Sequence, residues 1–342
     1  MIRTRVLIVS VLIAASCSPE TTSPDPPLPK PRRVRVAVLL AASYTPLYIA
    51  QQKGYFQSEG LDVELIPLPM ANAMTALIQK RIEVFAGPLF VGLFNAMHHL
   101  PIRIVADKGH LTSRTDCIDF AMVARRELIR SGRLNELEDI RGLRVDYRPT
   151  STSGYVVDRL LQEAGLTRDD VILTDTPGEG VIGAFGADRL DVRAALEPRL
   201  MAILKSAEAE IWLPVEEFLP GLQYSVIVYG PALLHEEPET GRKFMRAYLR
   251  GIRDYNRGKT EENIRFMIEF TRMAPDIVRD SCWPLLRDDG SVNVDSVSDF
   301  IDWAHQSGHL DVPVPPSMFW DGRFIDGAAL PVDSTAREET RP

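Results

Sequence analysis

From residue 34 onward, short apolar runs alternate with stretches whose apolar positions recur at helical spacing. Residues 34–40 read as a strand, 46–52 as a short helix closed by Gly54, and 63–68 as a second strand, which together make a βαβ unit. The pattern continues with a helix over 71–80, a strand at 84–86, a helix over 90–98 and a strand at 102–106, the alternation of a parallel sheet. The same order returns as a strand at 144–148, a helix over 154–164, strands at 171–174 and 192–196, and a short helix over 181–187 between those two strands. After a β-run at 223–229 the rest reads as helices over 238–256, 261–272, 275–283 and 294–305.

The return is a repeat in sequence as well as in order. At a fixed offset of 108, residues 63–86 align without a gap on 171–194, with seven identities in 24 positions, among them Val63/Val171, Pro69/Pro177, Ala76/Ala184 and Val84/Val192. Background usage gives roughly one or two. A single duplication makes a two-lobed α/β protein, not a solenoid. The expected division is lobe I over 34–118 and 230–330, lobe II over 119–229, and a tail over 331–342. Too few strands follow residue 229 for a third lobe, so the later helices are expected to pack back on lobe I. The chain then crosses between lobes near 119–124 and near 223–229, and two crossing strands make a hinge.

Composition narrows the functional classes. The 342 residues are 45% hydrophobic and 25% charged, as in a folded globular chain. Lys and Arg number 39 against 47 Asp and Glu, a formal charge of −8 that argues against a nucleic-acid partner. No apolar run reaches the ~20 residues of a membrane-spanning helix.

The N-terminus reads as an address. Arg3 and Arg5 precede an apolar run over 6–15, and small residues Ala14-Ala15-Ser16 lead into Cys17, so residues 1–16 are expected to be a secretory signal. The small residues before a cysteine resemble a bacterial lipobox, although Ala14 stands where the commonest pattern has Leu. On that pattern Cys17 is diacylated and anchors the protein to a lipid membrane at the periplasmic or outer surface. Residues 17–33 hold six prolines among Ser and Thr and read as a tether, with a reach on the order of 50 Å at ~3.1 Å per residue. In an oxidising compartment the two remaining cysteines, Cys117 and Cys282, either pair or stay as buried thiols. No ligand-spaced His or Cys cluster indicates a metal, and no cofactor motif calls for a cofactor.

Several blocks carry a family resemblance. They are Tyr-Thr-Pro-Leu-Tyr-Ile-Ala-Gln-Gln-Lys-Gly-Tyr-Phe over 44–56 followed by Glu59-Gly60-Leu61-Asp62-Val63, then Asp139-Ile140-Arg141-Gly142-Leu143, Ala164-Gly165-Leu166 and Glu197-Pro198. The stretch 34–257 resembles bacterial substrate-binding proteins for nitrate, sulfonate, taurine and thiamine-pyrimidine precursors. The resemblance implies a type II periplasmic-binding-protein fold, a monomer that closes on a small-molecule ligand and presents it to the permease and ATPase of an ABC importer.

The site follows from topology. In open parallel sheets ligands bind at the carboxyl ends of strands, where loops enter helix N-termini. In lobe I the corresponding residues are Ser43, Tyr44, Tyr48, Met70, Asn72 and Gly87; in lobe II they are Thr150, Ser151, Thr152, Ser153, Tyr155, Glu179 and Glu197. The hydroxyls of 150–153 before Gly154 can hold an acceptor or simply cap the helix. The tyrosines can stack on a planar ligand or pack at the rim. Glu179 and Glu197, if both face the cleft, favour a neutral or amine-bearing ligand over an anion. Gly178-Glu179-Gly180-Val181-Ile182-Gly183 fits GxGxxG but lies in the second βα unit of its lobe, not the first, which favours a ligand loop over a dinucleotide site. No hydrolase, P-loop or metalloprotease motif appears, and the reading is of a binder, with a surface sensor or a two-lobed enzyme as alternatives.

Overall fold

The computed structural model describes residues 30–113, 117–177, 180–206, 208–326 and 328. The signal, Cys17, most of the tether, Glu179 and the tail lie outside the described residues. Ten strands occur among those described: β1 (Arg32–Val38), β2 (Leu61–Pro67), β3 (Val84–Pro88), β4 (Arg103–His110), β5 (Phe120–Arg125), β6 (Arg144–Asp146), β7 (Ile172–Thr174), β8 (Val192–Leu196), β9 (Ala209–Pro214) and β10 (Gln223–Tyr229). β1 begins inside the stretch expected to be tether, and Arg32 there pairs with Glu237 at 2.8 Å.

The strands form two five-stranded sheets, ordered β2-β1-β3-β10-β4 and β7-β6-β8-β5-β9. In the first, β1 is parallel to β2 and β3, and β10 is antiparallel to β3 and β4. In the second, β6 is parallel to β7 and β8, and β5 is antiparallel to β8 and β9. The two sheets therefore share one topology, and each carries a single reversed strand in its fourth position. One expected boundary moves. Residues 223–229 were assigned to lobe II, but β10 is buried along its whole length and hydrogen-bonded within the first sheet.

The repeat extends to side-chain chemistry. Arg35 donates through its backbone N–H and its guanidinium to Glu83, at 2.7 and 2.8 Å. In the second sheet Arg144 does the same to Asp191, at 2.9 and 2.8 Å. Each pair ties the start of an inner strand to the start of its neighbour, and each carboxylate is buried.

Helices Pro238–Tyr255 and Glu261–Thr271 pack on the early helix Thr45–Gln52, as expected for lobe I. Helix Val294–Gln306 behaves differently, because it touches both Val91–Met97 of the first lobe and Thr152–Glu163 of the second. Phe300 lies 5.7 Å from the Phe94 ring and 5.5 Å from Tyr155, and Trp303 donates to Asp158 at 2.8 Å. One apolar cluster thus runs without interruption from the first lobe through Phe300 into the second.

Candidate functional site

Two of the predicted ligand loops meet each other. Phe90 and Ser151 form an antiparallel bridge, the Val91 N–H donates to the Thr150 carbonyl at 2.9 Å, and Thr152 Oγ1 donates to the Leu89 carbonyl at 2.8 Å. Ser151 is the N-cap of helix Thr152–Glu163, accepting from the Gly154 N–H, and its Oγ lies 2.8 Å from that of Ser153. A Cβ at Gly154 would fall 2.1 Å from the Arg148 carbonyl oxygen, so the close turn requires glycine. Here the capping role and a seam between lobes account for the hydroxyl run.

Other predicted residues are committed elsewhere. Tyr155 is 2% exposed, with its ring edge-on to Phe300 and Trp303, so core packing replaces ligand stacking. Tyr48 packs against Phe270 and Phe266 and donates to Glu269, which fixes it between two helices of lobe I. Met70 is half-buried and Asn72 exposed, both on the first turn of helix Met70–Ile78. Gly87 is buried in β3, where its carbonyl accepts from Ser225 Oγ at 2.8 Å. Glu179 lies outside the described residues.

Glu197 is buried at the end of β8, and it joins distant segments. It accepts from the Met201 N–H at 2.9 Å and from the Cys282 N–H at 3.0 Å, while its own N–H donates to the Asp119 carbonyl. Burial, with the nearby Asp119 charge, pushes its carboxyl up to about 7 despite the two backbone donors. Cys282 is bonded to Cys117, with Cα atoms 5.6 Å apart, so the crossing segment before β5 is tied to the chain after helix Pro275–Asp280. Lys205 of the second lobe adds ion pairs to Asp276 and Asp280 of that helix.

Ser43 and Tyr44 lie in a buried polar cluster at the carboxyl end of β4. Lys108 has no exposed surface; its Nζ donates to Ser43 Oγ at 2.9 Å and sits 3.3 Å from the centroid of the Tyr44 ring. Asp107, next along the strand, does not serve as its partner. That carboxylate accepts from the Gly109 and Arg287 N–H groups, from Gln223 Nε2 at 2.7 Å and from His110 Nδ1 at 2.9 Å. Burial alone would raise Asp107, and His110, Arg287 and Gln223 together hold it below the usual carboxylate range. Burial drives Lys108 well below the ordinary amine value.

Beside the amine, Tyr44 Oη is buried with no hydrogen-bond partner among the described residues; Thr45 Oγ1, at the adjoining helix start, and Tyr224 Oη, whose ring lies against Gly109, are likewise buried and unpartnered among them. Tyr224 is close to the strand because position 109 is glycine; a Cβ there would fall 2.4 Å from its ring. Buried polar groups are ordinarily satisfied, and each that is not costs about 1–3 kcal/mol. A buried amine whose charged form is disfavoured, with one hydroxyl partner and an unpartnered phenol beside it, leaves hydrogen-bonding capacity unused. Lys108, Thr45 and Tyr224 are not among the predicted ligand residues: the predicted strand ends at Ala106, and Tyr224 lies within the β-run at 223–229. Asp-Lys-Gly-His at the carboxyl end of an apolar strand was the available signal. Among the described residues no group of three or more His, Cys, Asp or Glu is placed to hold a metal.

The paired sheets, each with one reversed strand, define the two-lobed architecture of type II periplasmic binding proteins. The chain belongs to the family described as NMT1/THI5 like, whose model matches residues 41–108 and 115–257. It is 28% identical over 225 residues to the 4-amino-5-hydroxymethyl-2-methylpyrimidine phosphate synthase of Aspergillus parasiticus, and the match spans 62% of this chain and 62% of that protein's length. Among solved structures it is similar to the zinc-bound ligand-binding component of an ABC-type import system from Staphylococcus aureus, at a TM-score of 0.71 and 12% identity over 87% of this chain and 99% of that one. It is likewise similar to the periplasmic aliphatic sulphonate binding protein SsuA from Escherichia coli, at a TM-score of 0.69 and 12% identity over 85% and 98%.

Proposed function

We propose that this protein is an extracytoplasmic solute-binding protein, anchored by a lipid on Cys17, that holds a small organic ligand at Lys108 and delivers it to the permease and ATPase of an ABC importer. The leader over 1–16 and the proline-rich tether support the location, and the fold's resemblance to importer components supports the role. The observation that carries the reading is the buried Lys108 amine, held by Ser43 Oγ against the Tyr44 ring, whose hydroxyl has no hydrogen-bond partner among the described residues. Such a site favours a ligand that presents oxygen acceptors and a flat face to Tyr44. It replaces the amine-bearing ligand expected from Glu179 and Glu197, since Glu197 is taken up by two backbone N–H groups.

The named activity of the Aspergillus relative favours an enzyme as the second reading. The leader expected over residues 1–16, with the fold shared with import-system components, favours the binding protein over it.

Native mass spectrometry of protein purified without refolding, followed by thermal shifts against a metabolite panel, tests the proposal. A one-site ligand at 100-fold excess over Kd adds about 2.7 kcal/mol of stability. The expected result is one retained or stabilising compound whose effect disappears in Lys108→Met and Ser43→Ala. Turnover of that compound, or full retention of binding in both variants, overturns it.

A further inference from the structure

The second sheet carries a charged pair that the first sheet does without. Arg193 of β8 is 4% exposed and Asp146, the last residue of β6, is 2% exposed; Arg193 Nη1 lies 3.1 Å from Asp146 Oδ2. The matching registers of the two sheets, Val36 beside Val84 and Val145 beside Val192, put Phe85 and Ala37 at the corresponding places in the first lobe, where they pair across β1 and β3 and are both buried. The architecture is thus satisfied by an apolar pair. A buried ion pair is seldom more stable than well-packed apolar residues of similar volume, so its presence calls for another explanation.

The pair is also unbalanced. Arg148 brings a second guanidinium to the same acceptors: its Nη2 donates to the Thr176 carbonyl at 2.7 Å and lies 3.9 Å from Asp146 Oδ2. Arg193 Nη1 donates to that same carbonyl at 3.0 Å. Asp146 is already shared, because its other oxygen accepts from the Thr176 N–H at 2.7 Å. Asp175, the remaining carboxylate beside Arg148, is 76% exposed. Arg193 Nε is buried with no acceptor among the described residues, and the positive charges of Arg148 and Arg199 both press on this guanidinium. Two guanidinium forks converge where β6 and β7 end, the place where open parallel sheets take ligands. Their planar donors match the oxygens of an acid group.

We propose that Arg148 and Arg193, with Arg199 at the rim, form an oxyanion seat in the second lobe that receives a carboxylate, sulfonate or phosphate group of the ligand. The inference rests on the solute-binding reading for the ligand's fate, but the seat is separate from Lys108 and can be tested alone.

The test measures thermal stability of the full-length protein in sulfate, phosphate or acetate against chloride at matched ionic strength. The three arms distinguish the classes of acid. Wild type is expected to show a saturable gain with at least one oxyanion over chloride. Arg148→Gln should weaken the apparent affinity roughly tenfold, the effect of losing a charged hydrogen bond. The double variant Asp146→Ala/Arg193→Phe, which installs the first lobe's own pair, should fold and lose the response. Arg133→Gln, at an exposed arginine elsewhere in the second lobe, should keep it. No gain over chloride in wild type overturns the proposal, as does an undiminished response in Arg148→Gln. If Lys108→Met alone abolishes the response, the acid group sits at Lys108; the seat falls and the solute-binding reading stands.

Discussion

Thr152 Oγ1 donates to the Leu89 carbonyl at 2.8 Å, and this buried bond joins the helix start of the second lobe to the strand exit of the first. Together with the Val91 N–H on the Thr150 carbonyl it makes a seam across the protein. Thr152→Val keeps the shape and leaves a buried carbonyl without its donor, at a cost of about 1–2 kcal/mol. Chemical denaturation should show that loss, and hydrogen exchange should show the Val91 amide opening faster. Unchanged exchange at Val91 would mean that the seam holds without the threonine.

The disulfide closes a long stretch, joining cysteines 165 positions apart. Removing it in Cys117→Ser/Cys282→Ser should lower stability by about 2–5 kcal/mol, the range for cross-links of this kind. Reductant should bring the parent protein's melting temperature down to that of the double variant. Equal stability of the oxidised parent and the variant would show that the crossing is held by packing alone.

Much of the fold is legible in the sequence because each βαβ unit has local apolar periodicity, and the offset of 108 marks the duplication. β9 is not, since Ala-Glu-Ile-Trp-Leu-Pro mixes polar and apolar residues on a half-exposed edge strand. The site was legible in part. Topology pointed to Ser43 and Tyr44, but the loops at 89–90 and 150–152 satisfy each other, and pairing of that kind across lobes leaves no local mark. Lys108 lay hidden because a lysine within a strand reads as its exposed end, whereas here a Ser43 hydroxyl and the Tyr44 ring enclose it.

Glu197 should make stability depend on pH. Its carboxyl, normally near 4.5, is pushed up to about 7 by burial, so the folded protein holds this proton more tightly than the unfolded chain. The stabilisation is fully present below about pH 4.5 and is lost as pH rises through about 7, amounting to on the order of 3 kcal/mol. Glu197→Gln mimics the protonated form and should flatten this part of the profile. Denaturation curves from pH 4.5 to 8 that run parallel for both proteins would refute the assignment.

Tyr44→Phe separates stability from binding. Among the described residues the Tyr44 hydroxyl is buried without a hydrogen-bond partner, so its removal should leave the free protein as stable or more stable by about 1 kcal/mol. Affinity for the retained compound should fall, because the site loses one of its polar contacts. A destabilised variant with unaltered affinity would show that Tyr44 serves packing only.

The first sheet takes its fourth strand from far along the chain, β10 slotting between β3 and β4, whereas the second sheet is built from the consecutive strands β5 to β9, with β5 between β8 and β9. A ribosome that has released only β1 to β4 has therefore made a sheet with a gap, and the gap is filled when residues 223–229 emerge. Nowhere between β4 and β10 can the polypeptide be cut to give a self-sufficient first half. Split-protein reporters or swapped halves built at the visual boundary between lobes would leave the first piece without β10, so the first lobe can be engineered only together with the chain that returns to it.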